Sequence, residues 1–156
     1  MDALVALALS IGILIAGWTY VALGPGALPV WAGIVAWGCF FAAGGKTDGL
    51  VKTISSNLSG VFWAFLALTA SANMGGGLPV LAVLVGVAAL LMVLQAKVPG
   101  LSFIPGAFLG AATAVSVVVG ANGSWARTII ALVAGALLGY LSEMVAGAIT
   151  RAPKAA

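Results

Sequence analysis

Glu143 is the one acid inside an apolar run of this chain. Gly135, Gly139, Glu143 and Gly147 recur every four residues, which sets them on one face of a helix. A carboxyl group held against protein at membrane depth could bind a proton or a cation, or anchor a polar solute. The plainer alternative is that it reaches the nearby interface, about two turns before Arg151. Gly135-x-x-x-Gly139 is the small-residue spacing that lets helices approach closely. A second group, Ser55, Ser56, Asn57 and Ser59, supplies donors and acceptors suited to a neutral polar solute, or to bonds between helices. A third surrounds Pro105: Ser102, Phe103, Phe108 and Thr113. Rings beside hydroxyls suit a flat polar molecule, whose faces need covering and whose edges need hydrogen bonds. Gly106-x-x-x-Gly110 offers another packing seam.

The inventory also excludes chemistry. The sequence contains no histidine, one cysteine and three acids. A Ser-His-Asp triad, haem ligation by histidine and a familiar zinc site are ruled out. Asp2 and Asp48 fall at the ends of apolar runs, away from one another. Cys39 lies inside such a run, can form no intrachain disulfide and is expected to be inert. No enzyme, no metal and no cofactor is expected.

The elements that must position these residues follow from composition. The 156 residues are 63% hydrophobic and 6% charged, with mean hydropathy +1.27, whereas a soluble domain carries about 25% charged residues. The chain is therefore an integral membrane protein of the all-α class, surrounded by lipid. A span needs about 20 mostly apolar residues. Six runs qualify, at 3–23, 28–45, 54–73, 78–96, 101–119 and 125–148. The first is too long for a signal-peptide core and lacks a basic leader, so it reads as a retained span. The breaks are Gly24-Pro25-Gly26, the charged stretch Lys46 to Lys52, Asn73 to Gly77, Lys97 to Gly100, and Gly120 to Ser124. They are too short for a soluble domain. One transmembrane bundle over 1–150 and a short basic tail over 151–156 are expected.

Six crossings with a cytoplasmic N-terminus place Lys46, Lys52, Lys97, Arg151 and Lys154 inside and only Arg127 outside, a positive-inside bias. Both termini are then cytoplasmic. The sequence pI of about 9.4 rests on six basic residues, too few to suggest nucleic acid as a partner. Trp18, Tyr20, Trp31 and Trp125 lie near span ends, where amphipathic rings favour the interface. Trp37 and Trp63 fall mid-span and need partners.

An echo suggests a duplicated hairpin. Leu28-Pro29-Val30 returns as Leu78-Pro79-Val80, and Lys46-Thr47-Asp48-Gly49-Leu50 as Lys97-Val98-Pro99-Gly100-Leu101, giving repeats over 28–73 and 78–119. Two interrupted segments occupy matching places: the polar turn Thr53 to Gly60, and the Pro- and Gly-rich stretch from Pro99 to Gly110. Paired interruptions of this kind point to a transport site. Pro105 must break, kink or begin its helix, so five crossings plus a broken or re-entrant helix is the alternative to six.

The stretch Trp31 to Thr47, the turn Ser56-Asn57-Leu58-Ser59-Gly60 and the run Leu101 to Phe108 resemble small bacterial inner-membrane proteins of the YcdZ/YahC type. That resemblance covers most of residues 1–148 and implies a location in the inner membrane, with no settled activity. More distantly, the order of elements is similar to one half of a bacterial urea transporter. The Ser56 to Gly60 turn would stand for its Gly-Tyr-Asn-Gly-type turn, and Val98 to Pro105 for its Leu-Pro-x-x-Thr-x-Pro-Phe signature. Pro99 and Pro105 are one residue too far apart, and no Phe directly follows Pro105.

The function expected from these readings is a channel or facilitator for a small neutral polar solute of the urea or short-amide type, working as a homo-oligomer. Asn57, Ser59, Ser102, Phe103, Pro105, Phe108 and Thr113 would form the path. Gly106, Gly110, Gly135 and Gly139 would pack helices. The alternatives are an accessory subunit of a larger membrane complex, and a proton- or cation-coupled exporter using Glu143.

Overall fold

In the computed structural model, which describes residues 1–150, the chain forms six α-helices and no strand among those residues. They are α1 (Ala3–Leu23), α2 (Val30–Ala42), α3 (Lys46–Asn73), α4 (Leu78–Leu94), α5 (Ile104–Val115) and α6 (Trp125–Ile149). Two short 3-10 turns, Gln95–Lys97 and Pro99–Leu101, link α4 to α5, and a π turn, Ser116–Gly120, extends α5. The expected basic tail, with Arg151 and Lys154, lies outside the described residues.

Four helices are long and apolar enough to cross a membrane: α1, α3, α4 with its 3-10 extension, and α6. The other two are short. The 13 residues of α2 rise about 20 Å, against roughly 30 Å of hydrocarbon core. Local chemistry sets these limits. Pro29 precedes α2, and Gly44 and Gly45 after it take φ of +99° and +66°, a left-handed turn that glycine adopts without strain. Pro105 stands in the first turn of α5, where its missing N–H has no intrahelical partner to lose. The helix begins at this proline and is not kinked by it.

One boundary differs from the sequence reading. The charged stretch Lys46 to Lys52 is not a loop but the first two turns of α3. Its charges are stabilised locally: Asp48 sits in the first turn, where a negative group favours the helix dipole, and lies 2.6 Å from Lys52 one turn on. The polar run from Thr53 to Gly60 is thus mid-helix. Trp18 also differs, being buried instead of interfacial: its ring covers Gly33, and its Nε1 donates to the Val30 carbonyl at 3.0 Å.

Small residues decide how the helices meet. The most extensive packing is of α3 on α5 and of α2 on α6. A methyl group on Gly60 would strike the Ala107 carbonyl, and one on Gly135 would strike the Gly33 carbonyl. Gly110 lies against the backbone of Asn57, Gly139 against the ring of Phe40, and Gly106 against Phe103 and Ser56. Gly12 and Gly17 on α1 face open space. Lipid supplies no hydrophobic drive for helix association, so such close contacts carry the cohesion.

This contrast gives a direct test. Gly60→Ala and Gly135→Ala are expected to lower stability by about 1–3 kcal/mol through overpacking. Gly12→Ala and Gly17→Ala are expected to change it by less than about 1 kcal/mol, in the stabilising direction, through helix propensity. Thermal unfolding of the four variants in one mild detergent separates the two groups.

Candidate functional site

Thr53, Ser56 and Asn57 share one face of α3, at spacings of three and four residues, and all three are at most 1% exposed. The hydroxyls of Thr53 and Ser56 and both polar atoms of the Asn57 carboxamide make no hydrogen bond of ordinary geometry among the described residues, the nearest candidate being the Cys39 thiol beside Asn57, a weak partner. A buried polar group left unpaired costs about 1–3 kcal/mol. Helical Ser and Thr can usually avoid this cost by donating to a carbonyl one turn back, and their neighbours do so. Ser55 donates to Val51 O, and Ser59 to Ser56 O at 2.8 Å. Thr53 and Ser56 make no such bond.

Two helices, α2 and α5, enclose this face of α3. Cys39 of α2 is 2% exposed and stands beside Asn57. From α5, Gly110 meets the Asn57 backbone and Gly106 meets the Ser56 side chain. No charged residue is buried among the described residues, so the group is neutral. Four buried polar atoms in an uncharged setting can accept hydrogen bonds from, and donate them to, a small polar molecule or water.

Several other polar side chains are engaged elsewhere. Trp63 Nε1 donates to Gln95 Oε1 at 2.9 Å, and Gln95 Nε2 donates to Ser59 Oγ at 2.8 Å, tying α3 to the end of α4. Trp37 Nε1 donates to Ser142 Oγ at 3.2 Å, Ser142 Oγ donates to Gly139 O, and Ser10 Oγ donates to Ser142 O. The Glu143 carboxylate accepts from the Lys46 backbone N–H at 2.7 Å and rests against Gly45, where a Cβ would crowd it. An acid from α6 thereby caps the N-terminus of α3, which has no cap of its own at Gly45.

The residues expected to form a path are distributed as follows. Asn57 and Thr113 are buried, on α3 and α5. Ser59 belongs to the Trp63–Gln95 network. Ser102 is exposed and donates to Pro99 O at 2.8 Å. Phe103 is half-buried over Gly106, next to Ser56, and Pro105 is exposed. Phe108 is 42% exposed and lines an apolar groove of about 490 Å³ with Ala64, Leu68, Leu81, Val85 and Met92. The structure brings Asn57, Ser56 and Phe103 to one side of α5 and leaves Phe108 on the groove between α3, α4 and α5. Sequence reading missed Thr53, whose signal was its place one turn before Ser56 and Asn57. It also missed Gln95, the one amide in its apolar run.

Comparison with known proteins bears on the whole chain. A family model described as a protein of unknown function, DUF1097, matches residues 8–147. Inner membrane protein YcdZ of Escherichia coli K12 is 36% identical over 142 residues, covering 90% of this chain and 83% of that protein. YcdZ of Salmonella typhimurium LT2 is 36% identical over 143 residues, with 90% and 85% covered. The uncharacterized protein YahC of Escherichia coli K12 is 32% identical over 153 residues, with 92% and 90% covered. No solved structure matches the chain.

Two expectations follow from the geometry. Glu143→Ala should cost about 1–2 kcal/mol by leaving the first turn of α3 uncapped, and Glu143→Gln should retain some of the cap, since an amide oxygen still accepts. Detergent melting curves of both variants measure the difference. Removing polar atoms that have no partner should do the reverse: Asn57→Leu and Thr53→Val are expected to stabilise the resting protein by about 1–3 kcal/mol. A fall in melting temperature for both would show that these atoms are satisfied in the membrane.

Proposed function

The chain belongs to the DUF1097 family, and on that premise we propose that it is a facilitator of a small neutral polar solute across the inner membrane. The observation that carries this reading is the set of four unpartnered polar atoms on Thr53, Ser56 and Asn57. Unpaired polar groups in an apolar bundle are costly. A solute with both donors and acceptors, such as urea or a short amide, would pair them and exchange its hydration for theirs. The absence of any buried charge among the described residues favours an uncharged solute moving down its gradient.

Access fits the same reading. Ser102 and Phe103 sit at the exposed start of α5, Gly100 lies 4.0 Å from Ser55 Oγ at the nearest approach of an added Cβ, and Phe103 adjoins Ser56 through Gly106. A solute would pass from Ser102 and Phe103 to Ser56 and then Asn57, with Thr113 beyond on α5. Glu143 serves as a helix cap in this account, and the proton-coupled alternative needs it free. Orientation follows the positive-inside bias, with the Lys46 and Lys97 ends of the bundle cytoplasmic. Self-association belongs to the same proposal, through the face of α4, of which only Ala88 and Met92 are buried.

Stopped-flow light scattering of proteoliposomes with urea, acetamide and glycerol tests the reading. Entry of urea or acetamide is expected to be fast and saturable, to fall about tenfold or more in Asn57→Leu, and to persist in Glu143→Gln. Entry no faster than in empty liposomes, from protein that unfolds cooperatively, would remove the facilitator reading.

A further inference from the structure

We infer that the chain is two inverted copies of one three-helix unit, and that the Asn57 site lies in the seam between two bundles which expose it to one membrane face at a time. Corresponding landmarks stand 74 to 76 residues apart. α1 and α4 begin 75 residues apart, at Ala3 and Leu78, and α2 and α5 begin 74 apart, at Val30 and Ile104. α3 and α6 end 76 apart, at Asn73 and Ile149. Burial follows the same interval. The eight buried positions of α3 from Thr53 to Ser71 each have a buried counterpart on α6 75 residues later, from Thr128 to Ala146. All five buried positions of α5 have buried counterparts on α2 74 residues earlier. Helical periodicity alone can align one pair of helices; here two pairs align at intervals that differ by one residue, while the sparse buried positions of α1 and α4 do not follow them.

The packing repeats as well. Gly60 meets the Ala107 carbonyl, and at the equivalent place Gly135 meets the Gly33 carbonyl. As α5 packs chiefly on α3, so α2 packs chiefly on α6, and α4 joins α3 as α1 joins α6. The helices therefore sort into two bundles, α1 with α2 and α6, and α3 with α4 and α5. Each sequential unit lends its third helix to the other bundle. A unit of three helices that alternate in direction reverses orientation from one copy to the next, which makes this an inverted repeat, and solute sites in such folds lie between the copies near the bilayer midplane. The echo of Leu-Pro-Val relates α2 and α3 to α4 and α5; burial relates α2 and α3 to α5 and α6, and packing relates all six helices.

The unpaired polar face packs against Gly106 and Gly110 of its own bundle and reaches the seam between the bundles at Asn57. Cys39 of one bundle stands beside Asn57 of the other. At one end of the seam Glu143 meets Lys46, and at the other Phe65 meets Trp125, with ring centroids 5.4 Å apart. The copies differ where chemistry is at stake: Ser56 and Asn57 on α3 correspond to Ala131 and Leu132 on α6. The site is thus more polar on one copy than on the other, where only Thr128 matches, its hydroxyl bonded to Ser124 O. On the facilitator reading, that suits a small solute with one hydrogen-bonding edge and one apolar side, as in acetamide. Rocking of one bundle on the other would open the seam at one end while closing it at the other.

Cross-linking tests this on the full-length chain, with native Cys39 as reporter. Cysteine pairs at Lys46 and Glu143, or at Phe65 and Trp125, are joined by a short reducible linker in sealed vesicles of known orientation. Cys39 is then labelled with a membrane-impermeant maleimide from each side, and its adduct is read by mass spectrometry on the peptide that carries Cys39, apart from adducts of the paired cysteines. Without a linker, Cys39 should react from both faces. Joining 65 to 125 should slow labelling from the Trp125 face by about tenfold or more and leave the Lys46 face reactive; joining 46 to 143 should do the opposite, and reduction should restore both. Labelling from one face regardless of linker, from neither face, or equally in both linked forms would overturn the proposal. Flux separates the two claims. Alternating labelling without solute entry removes the solute and keeps the repeat, whereas solute entry with no alternation removes the alternating seam alone.

Discussion

Lipid gives apolar side chains no reason to leave it, so a bundle in the bilayer cannot rely on the drive that assembles a soluble core. What holds these six helices is close backbone approach, and the rest of the structure depends on it. At Gly60 against Ala107 and at Gly135 against Gly33, no side chain stands between the two helices. Those contacts decide which helices become partners. They also leave most bulky apolar side chains on α1 and α4 free to face lipid: Leu4, Leu9, Ile13, Leu78, Val83 and Leu90 are each at least 50% exposed.

The same solvent makes every polar group conspicuous, because water cannot pair it. Trp18, Trp37 and Trp63 each spend their indole N–H on a partner from another element. The Glu143 carboxylate caps a neighbouring helix. Against that background the unpaired face of Thr53, Ser56 and Asn57 is an exception with a cost. Together with its place at the junction of α2, α3 and α5, this cost singles it out as the candidate site. The groove lined by Phe108 offers about 490 Å³, but its walls are apolar and it lies between helices that present mostly hydrocarbon to their surroundings.

Much of this was legible in the sequence, and the reasons can be traced residue by residue. Six hydrophobic runs gave six helices, since hydropathy alone fixes what lipid accepts. Membrane class and family resemblance hold for the same reason: both rest on long stretches of chain. Asn57 stood out as an amide within an apolar run. The start of α3 did not, because Lys46 to Lys52 reads as a break until the capping acid, 97 residues away in the chain, is brought to its first turn. Trp18 likewise reads as interfacial until Gly33 is seen to leave a space for its ring. Thr53 and Ser56 cannot be told from Ser55 and Ser59 by residue type; only the fold reveals which hydroxyls find a carbonyl.

By itself, then, the sequence determined the solvent this protein lives in, the number of its helices and the small residues at which they can touch. Those properties depend on composition and on local periodicity. The tertiary structure alone decided which glycine meets which backbone, which acid caps which helix and which polar atoms are left without a partner. Each of these is a pairing between residues far apart in the chain, and apolar helices of similar composition offer many pairings that are locally alike. The choice among them is made by shape at van der Waals range, where a single methyl group settles whether two helices can meet.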